Sequence, residues 1–180
     1  MAVSQSVYPV ARDESVAAEA ILSLIVDNEP SVLARVVSLI SARGYNIESL
    51  TVAETDVAKH RSRITIVTHG TAMKIEQIKA QLARLVPVRR VIDVLQEKDA
   101  LQRELALIKV AGKEEQRVEA MRLAENFRAR AIDTTHSSFV FEVTGARDKI
   151  NAFIDLMQPL GLVEVARTGV LSIGRGSEKD

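Results

Sequence analysis

The sequence contains no cysteine and no tryptophan among its 180 residues. Without cysteine, the chain has no disulfide bonds, thiolate metal sites, iron–sulfur clusters or cysteine nucleophiles. Because this composition suits a reducing compartment, we expect the protein to work in the cytoplasm. Aromatic residues make up only 3% of the chain, which leaves little material for stacking the bases of a nucleic acid.

An excess of charge of one sign is also missing, because 24 basic residues balance 24 acidic ones. Duplex nucleic acids and anionic membranes attract proteins largely through a surplus of Lys and Arg. The most apolar run, residues 20–26, is far shorter than the roughly 20 residues that span a bilayer. We therefore expect no nucleic acid and no membrane among the partners. Residues 1–19, with Asp13 and Glu14 where a signal peptide needs basic residues, are expected to form a mobile polar arm.

The first half of the chain alternates strand and helix patterns. Short runs of aliphatic and β-branched residues predict strands, and apolar residues three and four positions apart predict helices. Pro30 suits the first position of a helix, and Gly44 suits the residue that ends one. The predicted order is a strand at 21–26, a helix at 30–44, strands at 47–54 and 64–68, a helix from 70 to 87, and a strand at 88–95.

The second half repeats this order. Strands are predicted at 105–110, 131–135, 139–144 and 162–168, and helices at 113–130 and from 145 onward. The repeat is visible in the letters, because Gly70, Lys74 and Ile75 correspond to Gly145, Lys149 and Ile150. Two βαββαβ copies predict an α+β fold of tandem ferredoxin-like units. The predicted boundaries are a first domain at 20–96, a charged linker at 97–103, a second domain at 104–176 and a tail at 177–180.

Two further structural expectations follow from this fold. Each sheet has one face without helices, and an apolar open face is usually covered by a second sheet or another chain, so we expect a homodimer. The glycine-rich segment 169–176 follows the last predicted strand and opens no helix, so we expect it to be flexible.

Catalytic signatures are missing from the sequence. His60, His69 and His136 have none of the spacings that place two imidazoles on one metal ion. There is no phosphate-binding glycine loop and no nucleophile elbow. We therefore predict no catalytic residue, no metal site and no cofactor in this chain, and no activity from the chain alone.

One constellation resembles a ligand site. The turn Asp27–Ser31 carries the free N–H groups of a helix start, which attract a carboxylate, and Asn28 adds an amide. In this fold we expect the strand after the helix to run beside the first strand, so that its opening residues Asn46 and Ile47 return to the same layer. Asn46 fits both a ligand contact and a simple turn residue, and the sequence leaves the two roles open. The set suits a small apolar amino acid.

A basic patch is predicted in the hairpin loop 57–63, which holds Lys59, His60, Arg61 and Arg63. Such a loop is either solvated or a docking surface for a partner. We assign Lys59, Arg61 and Arg63 to partner docking.

Longer stretches of sequence are more specific than these motifs. The run Arg43-Gly44-Tyr45-Asn46-Ile47-Glu48-Ser49-Leu50-Thr51-Val52, together with Asp27-Asn28-Glu29-Pro30, closely resembles the regulatory, or small, subunit of acetolactate synthase, also called acetohydroxyacid synthase. The similarity continues through residues 63–66, 104–110, 127–129 and 165–170. It covers about residues 20–176.

The resemblance implies an N-terminal ACT domain, a C-terminal ACT-like domain, a homodimer, and assembly with a separate catalytic large subunit. That subunit carries out the thiamine-diphosphate chemistry of branched-chain amino acid synthesis and is expected to hold thiamine diphosphate, Mg and FAD. The small subunit raises its activity and confers feedback inhibition, most often by valine. The family's effector residues correspond here to Asn28, Ser31, Val32, Leu33, Asn46 and Ile47. Ser31 stands where many members have Gly, and Ala34 where many have Ser.

Two other functions compete with this interpretation. A free-standing tandem ACT protein that senses an amino acid and controls transcription has the same fold, but it lacks the specific letters of residues 43–52. A ferredoxin-like enzyme needs an acid, base or nucleophile set that the sequence does not provide.

Overall fold

The computed structural model describes residues 18–97 and 100–175, which form two βαββαβ units. The first unit contains β1 (Ala18–Asp27), α1 (Val32–Ser41), β2 (Ser49–Asp56), β3 (Arg61–Gly70), α2 (Ala72–Leu82) and β4 (Val88–Asp93). The second contains β5 (Leu101–Val110), α3 (Glu114–Asn126), β6 (Arg130–Thr134), β7 (Phe139–Gly145), α4 (Arg147–Met157), β8 (Leu162–Arg167) and a short β9 (Leu171–Ile173). The predicted fold class is confirmed. In these residues, no helix combines the length and apolarity needed to cross a membrane.

Each unit packs two helices on one face of an antiparallel sheet. Alternate residues of β1, such as Leu22 and Leu24, point toward the helices and are fully buried together with Val36 and Ile78. The second unit has its own core around Phe141. These cores follow from the two-residue period of the strands and the three-to-four-residue period of the helices.

Strand order corrects one expectation about the first sheet. The strands lie in the order β2-β3-β1-β4, so β3 separates β2 from β1. The strand that follows α1 therefore does not run beside the first strand, because α1 crosses over a gap that β3 later fills, as in a split βαβ unit. As a result, β2 is an edge strand of this sheet.

The C-terminal segment corrects a second expectation. Residues 168–174, here called the C-terminal strap, cross the open face of the first sheet, where Val170 packs with Ile21, Val67 and Val94. Val170 is only 3% exposed, and β9 pairs with the first three residues of β5. Residues 169–174 of the segment expected to be flexible are thus packed on the sheet, because an apolar residue among them fills the surface that the helices leave uncovered.

Several boundaries also shift. The helix α1 begins at Val32 instead of Pro30, α3 ends at Asn126 instead of residue 130, and β5 begins at Leu101, inside the predicted linker 97–103. The hairpin turn is confined to residues 57–60, so Arg61 and Arg63 lie in β3 and not in a loop. Residues 1–17 of the predicted arm and the predicted tail 177–180 lie outside the described residues.

Candidate functional site

The turn between β1 and α1 forms one part of the candidate site. The Asn28 N–H donates to the His60 carbonyl oxygen at 2.7 Å, which fixes the turn against the β2–β3 hairpin. The hydrogen bond from Arg35 N–H to Ser31 O, at 3.0 Å, begins the helical ladder. Because the N–H groups of Leu33 and Ala34 precede this bond, they lie at the open, positive end of the helix.

Ser31 has an unusual backbone at this helix start. Its φ of 67° and ψ of 4° are left-handed, and its side chain makes no capping hydrogen bond. This conformation is strained for a residue with a Cβ, by about 1 to 2 kcal/mol, whereas glycine adopts it freely. Although serine is common at helix starts, Ser31 therefore does not stabilise this one as an N-cap usually does. The one hint of this conformation at the sequence level was the glycine that the family resemblance implies at this position.

The residues of this helix start differ in exposure. The side chains of Asn28, Ser31 and Leu33 are exposed, whereas that of Val32 is 7% exposed and belongs to the first core. The Val32 side chain is therefore closed to a ligand, and its N–H already donates to the Glu29 carbonyl oxygen at 3.3 Å. Asn28 and residues 31–33 are here called the helix half-site.

Asn46 and Ile47, here called the strand half-site, lie just before β2. The carbonyl oxygen of Asn46 accepts a 2.7 Å hydrogen bond from Thr68 Oγ1, and the Asn46 residue is exposed. Ile47 is half-buried against the first core. This contact fixes the Asn46 backbone against β3.

One chain does not bring the two half-sites together. Thr68 pairs with Ala20 near the start of β1, whereas Asn28 follows the end of β1. Eight residues of extended strand separate Ala20 from Asn28, so the two half-sites lie roughly 26 Å apart along β1. The expected meeting of Asn28 and Asn46 within a chain is thus wrong, because α1 runs back along β1 and delivers the next residues to the opposite end of the sheet.

The three predicted docking residues also separate. Lys59 is exposed in the turn and pairs with Asp56 at 3.5 Å, and the hydrogen bond from the Lys59 backbone lowers the pKa of Asp56. Arg61 begins β3, opposite Asp27. The Arg63 guanidinium donates to the Ser172 carbonyl oxygen of the C-terminal strap at 3.0 Å. Lys59 and Arg61 remain together beside the helix half-site, whereas Arg63 contacts the strap.

The junction between the two units contains a charged cluster that the sequence did not predict. Arg147 donates through Nη1 to Glu19 and through Nη2 to Glu48 Oε2 at 2.7 Å. The other Glu48 oxygen lies 2.7 Å from His69 Nδ1. The Arg147 hydrogen bond holds the pKa of Glu48 below its ordinary value, so this carboxylate is charged at neutral pH.

A second ion pair lies in the same junction. Arg167 donates two hydrogen bonds, of 2.7 and 2.6 Å, to Glu104, which is only 4% exposed. A cavity of about 330 Å³ lies between the units and is lined by both arginines. Such doubly hydrogen-bonded pairs are geometrically specific and stronger than simple surface pairs.

Glu19, Glu48 and His69 also place ligand atoms within 4.8 Å of one another, the spacing of a metal site. The Arg147 guanidinium lies against both carboxylates and supplies the positive charge there. We therefore assign this cluster to the contact between the units and not to a metal ion.

Comparison with known proteins identifies the family. A model described as the small subunit of acetolactate synthase matches residues 103–176, and one described as the AHAS small subunit-like ACT domain matches residues 22–90. A probable acetolactate synthase small subunit of Archaeoglobus fulgidus is 44% identical over 158 residues, which cover 88% of this chain and 98% of that protein. The chain belongs to the acetolactate synthase small-subunit family. The resemblance drawn from residues 27–30 and 43–52 is thereby confirmed.

Two further relatives agree with this assignment. The acetolactate synthase small subunit of Haemophilus influenzae is 43% identical over 159 residues, or 88% of this chain and 96% of that protein. The crystal structure of the small subunit from Thermotoga maritima has a TM-score of 0.79 at 37% identity and covers 89% of this chain and 99% of that one. The two-unit fold is therefore shared with a solved member of the family.

The strain at Ser31 leads to a prediction. Ser31→Gly should raise the free energy of unfolding by up to about 1 kcal/mol, because relief of the left-handed strain exceeds the added entropy of the unfolded chain. Ser38→Gly, an exposed change within α1, is the matched control and should lower it by about 0.5 to 1 kcal/mol. Urea unfolding of both variants measures the difference. Equal destabilisation by the two changes would contradict the assigned backbone conformation.

Proposed function

We propose that this chain is a non-catalytic regulatory subunit of acetolactate synthase. It activates the thiamine-diphosphate-dependent large subunit and confers feedback inhibition by a branched-chain amino acid, with valine as the first candidate, in the cytoplasm. The thiamine diphosphate, Mg and FAD of the reaction belong to the large subunit. The observation that carries the proposal is the similarity of both units, along 88% of the chain, to proteins named as small subunits of this enzyme.

The two half-sites have complementary chemistry for an α-amino acid. The positive end of α1 attracts a carboxylate, and the exposed N–H groups of Leu33 and Ala34 are donors to it. The Asn28 and Asn46 amides offer oxygen acceptors to the ammonium group. The half-buried Ile47 supplies an apolar contact for an aliphatic side chain. A small branched amino acid needs both half-sites, and these lie at opposite ends of one sheet.

A homodimer through β2 resolves this separation. β2 pairs with β3 on one side, and its other edge is unpaired in the described chain. Val52, near its middle, is 44% exposed. If two β2 strands pair antiparallel about a two-fold axis at Val52, Asn46 of one copy lies opposite the turn 57–60 of the other. His60 of that turn holds Asn28, so each effector site combines the strand half-site of one copy with the helix half-site of its partner.

The basic end of the same hairpin, where Lys59 is exposed and Arg61 is half-buried, is the proposed docking surface for the large subunit. Lys59 and Arg61 carry it, and Arg63 supports it by holding the strap against β3. Charged loops on a rigid sheet suit recognition of a partner and bind through electrostatic attraction.

The activation proposal predicts the outcome of a reconstitution assay. The chain alone should form no acetolactate from pyruvate. Added to a purified large subunit of the family, it should raise the rate, and valine should lower that rate again. Lys59→Ala with Arg61→Ala should weaken activation about threefold or more at low salt, and the difference from the wild type should shrink at high salt, where the attraction that these residues supply is already screened. Lys113→Ala with Arg122→Ala, at exposed positions of the second unit, is the control.

Two results would contradict the proposal. Acetolactate formation by the pure chain would contradict its regulatory role. Unchanged activation by the Lys59 and Arg61 variant across a salt series would contradict the docking surface while leaving the regulatory role intact.

The dimer proposal predicts the effect of a charge on β2. Val52→Glu places two like charges against each other at the two-fold axis, which destabilises the strand pair. The molar mass from light scattering should fall from dimer to monomer. Valine binding should weaken at least tenfold although no half-site residue is changed. Val118→Glu, at a position that is 72% exposed on α3, should leave both measurements unchanged. A dimeric Val52→Glu variant would contradict pairing through β2.

A further inference from the structure

The charged cluster at the junction of the units lies directly beside the strand half-site. Glu48 follows Ile47 in the sequence, and its backbone N–H donates to the Val67 carbonyl oxygen at 2.9 Å. Residues 46–48 form a short segment before β2 that is hydrogen-bonded to β3 at both ends. Because only one residue separates Asn46 from Glu48, a ligand that displaced Asn46 would strain the hydrogen bond of the Glu48 backbone as well.

We propose that Arg147 couples effector binding to the second unit: movement of residues 46–48 reaches α4 through the ion pair of Glu48 with Arg147. The proposal rests on the effector site described above and extends it with a route of regulation.

Arg147 is placed to act as such a link. It is the first residue of α4. One nitrogen of its guanidinium donates to Glu19 of β1, and another donates to Glu48 before β2. Its side chain is 32% exposed, and that of Glu48 is 30% exposed, so solvent only partly screens the pair. Glu19 belongs to β1 at the centre of the sheet, whereas Glu48 belongs to the segment that a ligand contacts. A shift of Glu48 changes the relative strength of the hydrogen bonds that Arg147 donates to the two carboxylates.

The helix α4 carries that change into the second unit. Ile150, Phe153 and Met157 of α4 are fully buried in the second core. Because close-packed side chains transmit displacement instead of absorbing it, α4 moves together with the sheet that it covers. A small displacement at Arg147 therefore becomes a displacement of the whole unit.

Other contacts keep the first part of β2 next to the second unit. The Thr51 hydroxyl donates to the Thr168 carbonyl oxygen at 3.0 Å. Gly169, with φ of 81°, lies so close to Ser49 that a Cβ at this position would overlap the serine hydroxyl. The 330 Å³ cavity beside these contacts, lined by Glu48 and Arg147, gives their side chains room to rearrange.

The test uses the full chain and its complex with the large subunit. Arg147→Met nearly keeps the length of the side chain and removes its charge. Glu48→Gln weakens the same ion pair by removing the charge on the first unit. Arg122→Met, which removes an exposed ion pair with Glu119 on α3, is the matched control. Three quantities are measured: valine affinity by calorimetry, inhibition of the complex by valine, and hydrogen exchange of the α4 amides with and without valine.

We expect both junction variants to bind valine within about threefold of the wild-type affinity, because neither residue belongs to a half-site. Inhibition by valine should weaken at least fivefold, and the effect of valine on α4 exchange should disappear. The double variant should lose no more of the inhibition by valine than either single variant, as expected for two residues that act through one contact. Melting curves are recorded for each variant to check that it is folded.

The outcomes separate the two proposals. If both variants retain the full valine response, the coupling role of Arg147 is wrong and the effector site stands. Loss of the response together with loss of valine binding would also contradict coupling, because the residue would then belong to the site. If the wild-type chain binds no valine, leucine or isoleucine, the effector site itself is wrong, and the coupling proposal falls with it.

Discussion

The position of β3 between β1 and β2 determines the rest of this structure. A helix that packs on the sheet must run back along the strand that precedes it, so residues after α1 begin at the far end of β1. Because β3 occupies the place beside β1, β2 is left at the edge of the sheet. The helix half-site and the strand half-site are therefore separated within a chain, and an unpaired edge lies beside the second of them. In the proposed dimer, two copies that share this edge would bring the half-sites together.

The same topology explains why the second unit is close to the site. Residues 46–48 lead into β2 at the end of the sheet that carries Glu19 and His69. The start of α4 and the C-terminal strap border this end, so the segment that would contact a ligand also contacts the second unit. Charge neutralisation at the junction depends on residues from both units.

Much of the fold could be predicted from the sequence because its determinants are local. Apolar periodicity and the repeated Gly-Lys-Ile letters identified both βαββαβ units. Three features could not be predicted, because they depend on distant contacts or on backbone conformation. Serine usually favours a helix start, so its letter does not reveal the left-handed backbone of Ser31. The order of Val170 depends on Ile21 and Val67, and the Arg147 contact with Glu19 joins residues 128 positions apart. The candidate site residues could be named from the family resemblance. Their separation within one chain could be recognised only from the strand order of the structure.

Valine binding by mixed dimers tests the composite site most directly. Asn28→Ala and Asn46→Ala each remove one polar partner and should separately weaken valine binding, by about 1 to 3 kcal/mol. After subunit exchange, a heterodimer has one site with both changes and one intact site formed by Asn46 of the first variant and Asn28 of the second. Calorimetry of an equal mixture should therefore regain wild-type affinity, at about one tight site per four chains. If mass spectrometry confirms exchange and no tight site appears, the two half-sites do not meet across a dimer.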